Sequence, residues 1–372
     1  MSTPTGADVD APDIFTAYGS NAFRLTLRQW AIVTLVAALF VALVPRVWRR
    51  VETFSTGPDF RMNYELSNDY VLFERAAAQV VATHDTMLIG DSVAWGQYVK
   101  REQTLSHDLN ELAGSERVAN LGVDGMHPMA LAGLIEHYGG AIRGKNVILL
   151  CNPLWMSSAK HDLQIDEEFR FNHPKLVPQF SPKITCYKDD VNTRLGNVVE
   201  RNSSFLGWTS HVQQTYFDKS DIPAWTLEHP YAAPGSSVNF AVPADSNVYR
   251  HEPLPWTARG AAAQDFPFVD LNASLQWLAF TRLVDTLSER SNSIHVVIVP
   301  LNEHMMTSGS RAKYQSIEND MRTEFKRLGV ECFVPPVLPS AMYADASHPL
   351  EAGYRVLAEQ VYNAFLKQPP KN

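Results

Sequence analysis

Cysteine is scarce in this chain of 372 residues: only Cys151, Cys186 and Cys332 occur. Three scattered thiols are too few for a disulfide framework or a structural zinc site. Basic charge is also short. Lys plus Arg number 32 against 40 Asp plus Glu, a net charge of -8, so the positive field that nucleic-acid binding requires is missing. No spacing of His, Cys and carboxylates resembles a zinc centre, and no metal or other cofactor is expected. Internal repeats are lacking too. Charged residues make up 19% and apolar residues 45%, which excludes a disordered or low-complexity chain and leaves one large globular domain or two ordinary ones.

Long hydrophobic runs are rare, with one exception. Trp30 to Val44 reads WAIVTLVAALFVALV, without a charge and with a single hydroxyl. Extended to Trp48 it approaches the roughly 20 residues that cross a hydrocarbon core. A secretory signal peptide would end in small residues at a cleavage site. Here Pro45-Arg46-Val47-Trp48-Arg49-Arg50 follows, with Trp30 and Trp48 placed as interfacial anchors. The expectation is an uncleaved single-pass anchor over residues 28–48, preceded by a flexible tail over residues 1–23. Arg24 and Arg28 precede the run, and Arg46, Arg49, Arg50 and Arg61 follow it. Read literally, the positive-inside rule leaves the large C-terminal part in the cytoplasm.

After the anchor, short apolar runs alternate with helical stretches. The runs are Thr86–Ile89, Val118–Leu121, Val147–Cys151, Ile294–Val299 and Val330–Val334; the helical patterns are Asn68–Thr83, Ser106–Leu112, Pro128–Tyr138, Ser274–Arg290, Arg311–Leu328 and Leu350–Phe365. Strands apolar on both faces and separated by helices predict an α/β domain with a doubly wound, five-stranded parallel sheet over residues 52–367. About 140 residues separate the third and fourth runs, far more than an ordinary crossover. That stretch, rich in Pro, Trp, Tyr and His, is read as an insertion over 153–270 that caps the carboxyl edge of the sheet.

The residues suited to chemistry fall at strand ends. Met87-Leu88-Ile89-Gly90-Asp91-Ser92 places a serine hydroxyl at the sheet edge, at the start of a helix. Asn120-Leu121-Gly122-Val123-Asp124-Gly125 follows the second strand and Leu150-Cys151-Asn152-Pro153 ends the third. A glycine-turn N–H and an asparagine amide are donors suited to a tetrahedral acyl intermediate. Near the C-terminus, Asp345-Ala346-Ser347-His348-Pro349 leads into the last helical stretch, with Pro349 suited to its first turn. Three residues apart in such a loop, a carboxylate can orient an imidazole whose other nitrogen faces the sheet edge. Asn302 and His304 follow the fourth strand and are candidates to line a substrate cleft. Asp124 and His127 lie beside the second block.

In Gly90-Asp91-Ser92 with Trp95-Gly96, in Asn120, Gly122 and Gly125, in Asn152, and in Asp345 with His348, the sequence resembles the SGNH/GDSL hydrolase family. The resemblance covers roughly residues 84–151 and 291–367. It implies a flavodoxin-like sheet, Ser92 as nucleophile, His348 as general base and Asp345 as its orienter. Its oxyanion donors would be the Ser92 and Gly125 backbone N–H groups and the Asn152 side chain. The third block departs from the family's Gly-x-Asn-Asp: Leu150 replaces the glycine and Pro153 the trailing aspartate.

Catalytic residues alone do not decide between water and an alcohol as acyl acceptor. An anchor, an SGNH-like domain and a long insertion together resemble membrane-anchored alginate O-acetyltransferase-like and D-alanyl-lipoteichoic acid transfer-like proteins. That resemblance implies a serine O-acyltransferase or esterase acting on acyl, chiefly acetyl, esters of a cell-envelope polysaccharide. It places the domain outside the cytoplasmic membrane and implies a multi-spanning membrane acyltransferase as partner. The aromatic insertion suits sugar stacking. A lipase or thioesterase-like hydrolase of small acyl esters, and a catalytically silent glycan-binding assembly protein, are the alternatives.

Overall fold

The computed structural model describes residues 25–367; the tail expected over 1–23 lies outside the described residues. Contacts divide the chain between Arg50 and Val51. Helix α1 (Leu27–Val51) is long and apolar enough to cross a membrane. At 1.5 Å per residue its length is about 37 Å. Its apolar side chains do not pack into a protein core: Leu35 and Val36 are each 60% exposed. The helix outruns the expected 28–48 at both ends, and Arg49 and Arg50 fall in its last turn, where cations complement the helix dipole.

From Val51 on, the unit is an α/β structure. Strands β1 (Thr86–Ile89), β2 (Val118–Asn120), β3 (Asn146–Cys151), β4 (Ser293–Ile298) and β5 (Glu331–Phe333) form one parallel sheet ordered β2-β1-β3-β4-β5. The helices are α2 (Tyr70–Thr83), α3 (Ser92–Trp95), α4 (Leu105–Ala113), α5 (Pro128–Tyr138), α6 (Val191–Arg201), α7 (Ser204–Tyr216), α8 (Ile222–Glu228), α9 (Pro234–Ser237), α10 (Leu275–Glu289), α11 (Ser308–Arg327) and α12 (Glu351–Val361).

Successive residues of a strand face opposite sides, and both sides are covered. Val147, Leu149 and Cys151 of β3 pack in one core with Phe73 of α2, Ile135 of α5, Phe280 of α10 and Phe325 of α11. Ile148 and Leu150 pack in a second with Leu109 of α4 and Leu357 of α12. Each such side chain contributes roughly 1.5–3 kcal/mol of transfer free energy. Because β2 lies beyond β1, the chain from β2 to β3 crosses over β1. The connections after β1 and β2 therefore leave to opposite faces, and a crevice opens at the carboxyl ends of the strands.

Between β3 and β4, α6 to α9 form within the aromatic-rich stretch, while α10 at its end packs against α5. The stretch also returns to the start of the unit. Thr53 N–H donates to the Phe240 carbonyl at 2.8 Å, and Val242 N–H donates to the Thr53 carbonyl at 3.0 Å.

Two boundaries differ from expectation for identifiable reasons. Asp69 accepts from Leu72 N–H at 2.9 Å and so caps α2, which starts at Tyr70 rather than Asn68. Pro349 is not in the first turn of α12. It bridges Tyr343, and Leu350 N–H donates to the Met342 carbonyl at 2.7 Å, which keeps the backbone extended until Glu351.

Candidate active site

Four loops meet at the carboxyl edge of the sheet. After β1, Asp91 caps the short helix α3 by accepting from Val93 N–H at 3.0 Å, which sets Ser92 at the helix start. Ser92 Oγ lies 2.8 Å from His348 Nε2, across 256 residues of sequence. His348 Nδ1 lies 2.8 and 2.9 Å from the two Asp345 carboxylate oxygens. Ser347 and His348 backbone N–H groups each donate to Asp345 Oδ1 at 3.0 Å, which curls the 345–348 loop around the carboxylate.

This geometry fixes the proton positions. Burial opposes the Asp345 charge, but His348 and the two backbone donors hold its carboxyl well below the usual carboxylate range. An ionised carboxylate only accepts, so His348 Nδ1 carries the hydrogen and Nε2 presents its lone pair to the Ser92 hydroxyl. Burial also opposes charge on His348, and Asp345, with Asp91 and Asp124, overrides it and raises the imidazole above its ordinary 6.5. A general base must be neutral. For a reaction that uses this base, kcat/KM should be low in acid and rise through an inflection above pH 6.5. Asp345→Asn should move that inflection down as well as lowering the plateau; a pH profile with the inflection unmoved would separate His348 from the rate.

Three further groups face the same edge. Asn152 Oδ1 accepts from Leu154 N–H at 3.1 Å, which orients the amide so that Nδ2 donates to Asp91 Oδ2 at 2.7 Å. The departure of the third block from the family pattern thus leaves the Asn152 amide anchored at both ends, and Nδ2 retains a second hydrogen. Asn120 accepts from Gly122 N–H at 2.9 Å and donates to the Ala94 carbonyl at 2.9 Å, tying the second block to α3. A Cβ on Gly122 would stand 2.4 Å from Trp95 backbone nitrogen, and Gly125 adopts φ +67° beside Asn172. Both positions therefore require glycine. Among the described residues, the Ser92 and Gly125 backbone N–H groups donate to no other protein group.

Asn302 and His304 take supporting positions. Asn302 is fully enclosed; its amide donates to the Asp345 carbonyl at 3.1 Å and its N–H to the Ala346 carbonyl at 2.8 Å. It holds the Asp345–His348 loop and presents no surface to a cleft. His304 is exposed, with Nε2 donating to the Leu338 carbonyl at 3.1 Å. His127 is likewise internal, a neutral cap of α5 whose pKa burial pushes down to about 4.

Several partners carried no sequence signal. Trp155 donates its indole N–H to Asp91 Oδ2 at 2.8 Å. Tyr98 packs its ring 5.6 Å from His348 and 5.4 Å from His251, which reaches in from the long β3–β4 segment. Burial and Asp345 push the Tyr98 phenol up to about 12, so it stays protonated. His173, its pKa lowered to about 4 by burial, accepts from Tyr70 and donates to the Asp124 carbonyl at 2.8 Å, bracing the Gly125 turn. Among the described residues, Asp124 Oδ1 is buried without a hydrogen-bond partner.

Neither a family model nor a curated protein matches the chain. Among the described residues no group of three or more His, Cys, Asp and Glu is arranged to hold a metal ion. What the arrangement can do is move a proton from a serine hydroxyl to an oriented imidazole beside free N–H donors.

Proposed function

We propose that the chain is a membrane-anchored serine enzyme of the SGNH/GDSL kind that adds or removes acyl groups, acetyl first, on a cell-envelope polysaccharide. The observation that carries this reading is the continuous relay Ser92 Oγ, His348 Nε2, His348 Nδ1, Asp345. Ser92 Oγ attacks the ester carbonyl while its proton passes to His348 Nε2. The oxyanion formed at the carbonyl oxygen accepts from Ser92 N–H, Gly125 N–H and the second Asn152 Nδ2 hydrogen. His348 then protonates the departing alcohol oxygen as the C–O bond breaks, leaving Ser92 acylated. In the second half, water or a sugar hydroxyl gives its proton to His348 and attacks the acyl carbon, and the proton returns to Ser92 as the acyl group leaves.

Two features favour a hydroxyl-rich substrate over a small acyl ester. The orphaned Asp124 oxygen needs a donor, because a buried polar group left unpaired is costly. Tyr98, packed on His348, and Trp155, bonded to Asp91, add aromatic rings at the same strand edge. Helix α1 would tether the enzyme in the cytoplasmic membrane, with the α/β unit outside and the acyl group supplied by a multi-spanning membrane acyltransferase.

The test is to give the full chain an aryl acetate and an oligosaccharide acceptor, then look for acetylated sugar by mass spectrometry. Acetylated sugar that disappears in Ser92→Ala is the expected result. Acetate release without acylated sugar would leave an esterase, and turnover unaffected by Ser92→Ala would contradict both forms. A C-terminal reporter active only in the cytoplasm should stay dark; a signal would reverse the orientation.

A further inference from the structure

A cavity of about 750 Å³ opens between α5, α10 and residues 176–182, with the end of α6 at one side; none of Ser92, Gly125, Asn152, Asp345 or His348 lines it. That volume is ordinary for a small-molecule site. Its walls are mainly apolar, from Met129, Ala132, Leu176, Pro178, Val198 and Ala279. Apolar surface continues outward. Leu278 and Phe180, also in the lining, are 64% and 51% exposed, and Val191, Leu195 and Val199 repeat every fourth residue on the exposed side of α6.

The charges on the lining are unevenly matched. Arg282 pairs with Glu136 at 3.1 Å. Asp285 is exposed to solvent, and Arg327 feels its charge. Arg201 is half-buried and has no carboxylate at ion-pair distance among the described residues. Its Nη1 instead meets His137 Nε2 at 3.3 Å, and burial together with Arg201 keeps that imidazole neutral. Burial also works against the Arg201 charge, yet a guanidinium cannot give up its proton. Glu136 across the lining partly offsets that burial, but no carboxylate among the described residues reaches Arg201, and a guanidinium takes carboxylate or phosphate through paired N–H donors.

We infer that this cavity binds an amphiphile with one apolar chain and one anionic head, the head on Arg201 and the chain along the wall formed by α5 and α10. A fatty-acid carboxylate and an alkyl phosphate share that chemistry. The site is independent of the acyl-transfer reading, since no residue of the Ser92 relay takes part.

The test uses the full chain in nanodiscs of zwitterionic phosphatidylcholine and a diazirine-bearing fatty acid as photoreactive probe. Cross-links should map to α5, α10 and residues 176–182. Dodecanoate or dodecyl phosphate should compete, and dodecanol should compete at least about tenfold more weakly. Competition by the carboxylate alone would assign a free fatty acid, and by the phosphate alone a lipid headgroup; either supports the site. Arg201→Gln should weaken competition about tenfold, while Arg201→Lys, which keeps the charge but loses the paired N–H donors, should weaken it by a smaller factor of about threefold. Equal competition by dodecanol, equal losses in both variants, or cross-links elsewhere in the chain would overturn the inference.

Discussion

Ser92→Ala is expected to lower kcat/KM for an aryl acetate by about 10⁶-fold in the full chain, because removal of the nucleophile leaves only the oxyanion donors and substrate binding. Among the described residues the side chain at this position has one hydrogen-bond partner, His348 Nε2 at 2.8 Å. Its loss should therefore leave folding intact, and the thermal midpoint should stay close to that of the unsubstituted chain. Asp345→Asn should fall by less, about 10⁴-fold, for a different reason: the amide no longer fixes the Nδ1–H tautomer of His348. Joint removal of Ser92 and Asp345 should cost little more than removal of Ser92 alone, since residues that act as a unit are not additive. A Ser92→Ala rate within a few-fold of the parent would mean that another group attacks the ester.

The second large effect lies away from the site. His211 on α7 is buried between two carboxylates: Nδ1 lies 2.6 Å from Asp69 Oδ2, and Nε2 lies 3.0 Å from Glu52 Oε1. Tyr216 donates to Glu52 at 2.6 Å, Thr215 donates to Asp69 at 3.0 Å, and Arg75 pairs with Glu52. Burial opposes the charge on His211, yet the two carboxylates raise its pKa to about 9. Burial also opposes the charge on Glu52, and His211, Tyr216 and Arg75 lower its pKa to about 2.

His211→Ala leaves the buried Asp69 carboxylate without a cation among the described residues, while Glu52 keeps Arg75, at a cost of about 3–5 kcal/mol. In thermal unfolding that is a fall of roughly 10 °C. Adding Asp69→Asn to His211→Ala should recover part of the loss, because one stranded charge is removed. The pH dependence has a definite sign. The His211 contribution is complete below its ordinary 6.5 and is lost as pH rises through about 9. The Glu52 contribution is complete above 4.5 and is lost as pH falls through about 2. A thermal midpoint in His211→Ala equal to that of the parent would show that the cluster carries no net stabilisation.

The five strands were legible because a sheet buried on both faces leaves uninterrupted apolar runs, and Thr86–Ile89 is recovered residue for residue. In the β3–β4 segment α10 was legible too, but α6 to α9 were not. Helix α6 keeps Val191, Leu195 and Val199 exposed, so its apolar stripe marks no core, and α8 and α9 are too short to show a period. The relay was legible because Ser92, Asp345 and His348 each sit at a turn next to a recognisable strand or helix. Their supports were hidden by distance along the chain. Asp91 is met by Trp155 across 64 residues, and Asp345 by Asn302 across 43; no local pattern chooses such partners. Asn302 shows the limit of reading a loop amide as cleft-lining, since folding closes it under the Asp345 turn.

The nucleophile we propose is the Ser92 hydroxyl, activated by His348. Its most direct measurement is mass spectrometry of the full chain after exposure to a fluorophosphonate, with the modified peptide sequenced. One phosphonyl adduct on Ser92 is the expected result, absent in Ser92→Ala and formed far more slowly in His348→Ala. No adduct, or an adduct on another residue that persists in Ser92→Ala, would contradict it.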